Sequence, residues 1–158
     1  MTFITPYLKA SLWLAISGLL CFIAALMLPS VSLIVLGNSI ILSGLQANAW
    51  AVGLGIEFVT RAFATHTLID AKLIILGIAG VLNIVFVITP ATLMLSAPRR
   101  PMLRWLGGAS LVGLMLGVLV PFMLENMHSF VLIGYFVWLL GYGLIFGAVI
   151  VALRQLSD

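Results

Sequence analysis

The sequence predicts an all-α integral membrane protein. We expect a four-transmembrane-helix bundle, with a small extracytoplasmic β-hairpin and an amphipathic helix between spans one and two. Three observations lead there. Of 158 residues, 64% are apolar and 7% charged, whereas soluble domains run near a quarter charged. Water could not solvate such a chain, so hydrocarbon must be its solvent. Apolar runs of the length that a helix needs to cross the bilayer core recur along it. Finally, Ala97 to Arg104, read A-P-R-R-P-M-L-R, puts three of the seven Lys and Arg residues between two such runs. A short basic loop between spans stays in the cytoplasm, and this orients every other segment.

Span one is expected over 8–28. Ser11, Ala15, Gly18 and Ala25 fall at helical spacing, giving a small face that lets another helix approach closely. Pro29 and Ser30 end the span. The run is long for a signal-peptide core and has no small-x-small exit, so the segment reads as a retained span. Leu20 before Cys21 also fails the small-residue requirement of a lipoprotein cleavage site. Cys21 is the only cysteine, which excludes an intrachain disulfide and a Cys-based zinc site. In mid-span it reads as a small packing residue.

Residues 30–69 form the expected outer cap. Leu33 to Leu36, Gly37-Asn38 and Ser39 to Leu42 read as strand, turn, strand. A hairpin has unpaired edges that hydrocarbon does not tolerate, so it belongs at or above the outer interface. After Asn48, residues Val52, Ile56, Val59 and Phe63 share a helical face, with Glu57 and Arg61 on another. This pattern predicts an amphipathic helix on the outer interface, anchored by Trp50. One long helix running into span two is the competing reading.

Span two is expected over 71–95, with Asp70 as its N-cap. Asn83 lies near its middle, where a polar side chain needs a partner, and Pro90 predicts a kink near the inner end. The basic cytoplasmic loop occupies 97–104, with Trp105 at the inner interface. Span three covers 105–124, and its Gly113 and Gly117 form G-x-x-x-G. Pro121 bends or ends it. Span four covers 130–153, with Gly143 and Gly147 as a second G-x-x-x-G. Both glycine pairs, with Asn83, are the expected helix-packing residues.

Lys9, Arg99, Arg100, Arg104 and Arg154 then face the cytoplasm, against Arg61 and Lys72 outside. Arg99, Arg100 and Arg104 set the orientation. Glu57, Asp70 and Glu125 face outward. The expected location is the inner (plasma) membrane, multi-pass, with both termini cytoplasmic. The net charge of +3 flanks spans and forms no stripe, so no nucleic-acid partner is expected.

The sharpest chemical constellation is outside. His66 and Asp70 are spaced i, i+4, and Glu125 and His128 are spaced i, i+3. Two imidazoles and two carboxylates would suit a first-row divalent metal. The simpler reading is that polar residues belong where helices emerge into water. The same groups could supply acid and base to a lipid-head-group enzyme, but no nucleophile stands beside a base. The span interiors hold no ionisable residue, which argues against a proton or ion pathway. Haem would need axial ligands in the membrane, where neither His lies. No resident cofactor is expected.

One span, a β-like outer segment ending in a helix, and three further spans resemble the layout of claudin-type four-span proteins along the whole chain. The outer-loop signature of that family is a Trp, then Gly-Leu-Trp, then two cysteines. Here Trp50 stands alone and Cys21 lies in span one, so no residue role carries over.

The function expected from these observations is a non-catalytic accessory or assembly subunit of an inner-membrane complex. It would bind the bilayer and other membrane proteins, or itself, through small-residue faces and the outer cap. Two readings compete: an immunity-type or regulatory protein that blocks a membrane partner, and an outer-face metal or lipid-head-group enzyme using His66, Asp70, Glu125 and His128.

Overall fold

The computed structural model describes residues 6–35, 38–65, 71–94, 98–125 and 129–156. In chain order these form α1 (Pro6–Met27), β1 (Pro29–Val35), β2 (Asn38–Ser43), α2 (Gly44–Thr65), α3 (Ala71–Leu82), α4 (Val85–Met94), α5 (Arg100–Glu125), β3 (Ser129–Val131) and α6 (Ile133–Gln155). The protein is mostly helical, with one small sheet. Four helical segments among the described residues are long and apolar enough to cross a membrane: Lys9–Met27, Gly77–Met94, Arg100–Phe122 and Ile133–Gln155.

α1 and α6 form the central pair. Ser11, Ala15, Gly18 and Ala25 are all buried, so the small face of α1 is its contact face. A Cβ on Gly18 would lie 3.0 Å from the Gly141 carbonyl oxygen, and one on Gly141 would lie 3.1 Å from that of Gly18. The two backbones approach so closely that only glycine fits without displacement. Around this seam, Val85, Phe86, Leu93, Leu103, Leu106, Ile145 and Val149 make one core.

The hairpin forms with a register that pairs Val35 with Asn38. Asn38, which the sequence suggested as a turn residue, is therefore a strand residue, and Leu36 and Gly37 lie outside the described residues. The strand order is β2-β1-β3, all antiparallel, with Val31 opposite Val131 and Leu33 opposite Ser129. β3 was not expected; its three residues lie in what reads as an outer turn and the start of span four. They become a strand because β1 offers them a free edge.

α2 starts at Gly44, not after Asn48. Its N-terminus is a reciprocal cap: the Ser43 N–H donates to Gln46 Oε1 at 3.0 Å, and the Gln46 N–H donates to Ser43 Oγ at 3.3 Å. Ser43-x-x-Gln46 thus satisfies two of the donors that a helix start leaves open. Gly44 also touches the end of α1, since a Cβ there would run into the Ala25 carbonyl. α2 lies antiparallel along α3, with Asn48 beside Asn83 and Val52 against Gly80.

The second span is broken between α3 and α4. The break lies at Asn83 and Ile84, not at Pro90, which α4 carries on its way to Met94. There the Asn83, Ile84 and Phe86 N–H groups donate to carbonyls three residues earlier, a tightened 3₁₀-type connection. α5 also begins earlier than expected, so Arg100 and Arg104 are helical. The Leu103 N–H donates to the Arg99 carbonyl, and Pro101 is tolerated in the first turn because its missing N–H would have had no helical partner there. Likewise α6 starts at Ile133, three residues past the expected boundary.

The resulting bundle has two unlike ends. Lys9, Arg99, Arg100, Arg104 and Arg154 gather where α1 and α5 begin and α4 and α6 end. The sheet and the α2–α3 pair occupy the opposite end.

Candidate functional site

The most developed polar feature of the interior is built on Asn83. The break between α3 and α4 places this side chain, 7% exposed, between α2 and α6. Trp138 Nε1 donates to Asn83 Oδ1 at 2.8 Å, and the Tyr142 hydroxyl donates to the same oxygen at 3.1 Å. On its other side, Asn83 Nδ2 donates to Asn48 Oδ1 at 2.7 Å. One amide thereby ties together α2, the α3–α4 break and α6. A buried amide so bonded escapes the desolvation cost of an unpaired one.

Aromatic rings continue the hub in both directions. Phe22 stacks on Phe86 at 4.5 Å between ring centres, and Phe86 meets Tyr142 edge to face at 4.6 Å. Trp138 meets Tyr142 edge to face at 5.1 Å. The Tyr135 hydroxyl donates to the Gly117 carbonyl, which locks α6 onto α5. These offset and perpendicular contacts are the favoured ring arrangements. The aromatic group of span four is therefore interior packing for Tyr135, Trp138 and Tyr142, while Phe136 is exposed.

Above the hub lies a cavity of about 100 Å³ between α1, β1, α2, α3 and α6, open on one side. Phe22, Leu26, Val31, Trp50 and Tyr135 contribute apolar walls, and Asn48, Asn83 and Trp138 form its polar floor. Among the described residues, none that lines it is charged.

The two G-x-x-x-G pairs have different surroundings. Gly113 and Gly117 are buried; a Cβ at Gly113 would strike the Tyr142 ring, and one at Gly117 would lie 2.8 Å from Leu139 Cδ1. Gly143 is exposed, and a Cβ at Gly143 or at Gly147 would meet nothing within 4 Å. Among the described residues, none covers this second pair. It forms a notch on the outer side of α6, below the exposed Phe136 and Leu140.

His66, Asp70 and His128, the core of the expected metal or acid–base constellation, lie outside the described residues. Glu125 is the last residue of α5, and its side chain lies outside them too. Among the described residues no three His, Cys, Asp or Glu side chains come together. Sequence reasoning singled out Asn83 and gave it no partner. The sequence alone does not single out Asn48, which lies one turn before Val52 on the face that meets α3.

No protein-family model matches the chain, and neither a curated protein nor a solved structure matches it significantly.

Proposed function

We propose that the protein is a multi-pass membrane protein that works by binding, as a non-catalytic accessory or assembly subunit that receives a helix of a partner on α6. The observation that carries this reading is the uncovered glycine notch. Other small faces of the bundle are filled from within: Ser11, Ala15 and Gly18 by α6, and Gly113 and Gly117 by the rings of Tyr142 and Trp138. Gly143 and Gly147, one turn apart, are left open. In lipid, association rests on close van der Waals packing at such small-residue positions.

The distribution of surface supports the membrane setting. Trp13, Leu20 and Ile23 on α1, Val112, Met115 and Leu119 on α5, and Phe136 and Leu140 on α6 are all exposed. Apolar side chains outside and an amide hub inside suit a hydrocarbon solvent. We orient the basic end toward the cytoplasm and the sheet toward the outside of the inner membrane. The sheet's unpaired edges then meet water.

Affinity purification in mild detergent tests the binding reading. A stoichiometric partner should accompany the wild-type chain and fall at least about 10-fold with Gly143→Leu, a loss of roughly 1.4 kcal/mol. Gly108→Leu, at an exposed glycine of α5 that also meets nothing within 4 Å, should keep it. A wild-type chain that purifies as a lone monomer, or equal retention in both variants, contradicts the proposal.

A further inference from the structure

We infer that the cavity above Asn83 holds the ester carbonyl of a glycerolipid, accepted by the side-chain amide of Asn48. The inference goes beyond the partner helix on α6, because it stands on the cavity and the hub alone.

The hydrogen-bond chemistry of the hub fixes which amide atom is left to bind a ligand. An indole nitrogen can only donate. Trp138 Nε1 therefore identifies the Asn83 atom at 2.8 Å as the oxygen. That assignment turns Asn83 Nδ2 toward Asn48, and the Asn48 atom at 2.7 Å must be an acceptor, its Oδ1. Asn48 Nδ2 is left, with two hydrogens and no acceptor among the described residues. Both lone pairs of Asn83 Oδ1 are already taken, by Trp138 and Tyr142. The floor of the cavity thus offers donors and has no free acceptor on Asn83. A carbonyl oxygen placed against Asn48 Nδ2 would complete the network.

The walls select the rest of the molecule. Apart from Ser30 they are apolar, and the described lining residues carry no charge, so among these an ionised group entering the cavity would lose its water without gaining a counter-ion. The volume of about 100 Å³ is somewhat below the ~150 Å³ of an engineered apolar cavity that binds benzene. It admits a carbonyl and its first methylenes, while the remainder of the lipid leaves through the open side. A bilayer lipid has this combination: a neutral acceptor set between an apolar tail and a head group that stays outside.

Tryptophan quenching reads the site, because Trp50 and Trp138 line the cavity whereas Trp13 and Trp105 are exposed elsewhere. The full chain carrying Trp13→Phe and Trp105→Phe would be titrated in detergent with a diacylglycerol brominated near its carboxyl ends, and with the matching dialkyl ether, which has no carbonyl. The ester should quench saturably at least ten times more tightly than the ether. Asn48→Leu should abolish that difference. Ala51→Leu, which narrows the cavity without touching the hub, should weaken the ester tenfold and keeps the test open if Asn48→Leu does not fold. Equal quenching by ester and ether, quenching that does not saturate, or ester binding unchanged in Ala51→Leu overturns the inference.

Discussion

Asn83 makes three hydrogen bonds to three side chains on two other helices, and this is where the interior of the bundle is specified. Interhelical hydrogen bonds in membrane proteins average ~0.6 kcal/mol each. Asn83→Ala should therefore cost about 2 kcal/mol by that average, and Asn48→Ala, which removes one bond, about 0.6 kcal/mol. Unfolding in mixed micelles would measure both. The double variant should lose less than the sum, because the two share a bond. Equal losses from the two single variants would contradict the central place given to Asn83. That an amide in mid-span needs a partner is legible in the sequence. Its partners are not, because Asn48, Trp138 and Tyr142 lie 35, 55 and 59 residues away in the chain.

Among elements, α6 carries two faces with opposite demands. Its inner face takes Gly18 from α1 and the glycine pair of α5, while its outer face holds Gly143 and Gly147. Alanine scanning separates them. Gly113→Ala forces a methyl against the Tyr142 ring and should destabilise by about 1–3 kcal/mol, the usual range for overpacking. Gly143→Ala meets nothing within 4 Å and should cost nothing measurable in the isolated protein. The same micelle unfolding assay distinguishes these outcomes; equal losses would mean that α6 is rotated from the arrangement described.

The four long apolar runs were legible because hydropathy over some twenty residues is a strong signal. The pairing of β1 with β2 was legible through the β-branched residues on either side of Gly37-Asn38. The cap at Ser43 and Gln46 is also present in the sequence as S-x-x-Q, but it directly follows the predicted strand, and the apolar helical period shows only after Asn48. β3 was beyond reach: three residues carry no period, and only the edge of β1 makes them a strand. The identical motif spacing of the two glycine pairs likewise hides that one is buried and the other open, since the spacing marks a face and not what covers it.

At the scale of the whole molecule, the two ends of the bundle differ in charge. Lys9, Arg99, Arg100, Arg104 and Arg154 collect at one end of the bundle, and the three-stranded sheet lies at the other. In the proposed orientation, with the basic end in the cytoplasm, the cavity above Asn83 would lie toward the outer leaflet and the notch on α6 within the bilayer. The most direct test labels single cysteines in a Cys21→Ala background with a membrane-impermeant maleimide. Asn38→Cys, in the exposed edge strand β2, should react in intact cells. Met102→Cys, exposed in the first turns of α5, should react only after the membrane is opened. Labelling of Met102→Cys in intact cells, with Asn38→Cys protected, would contradict the orientation; labelling of both without permeabilisation would contradict the four-span membrane reading itself.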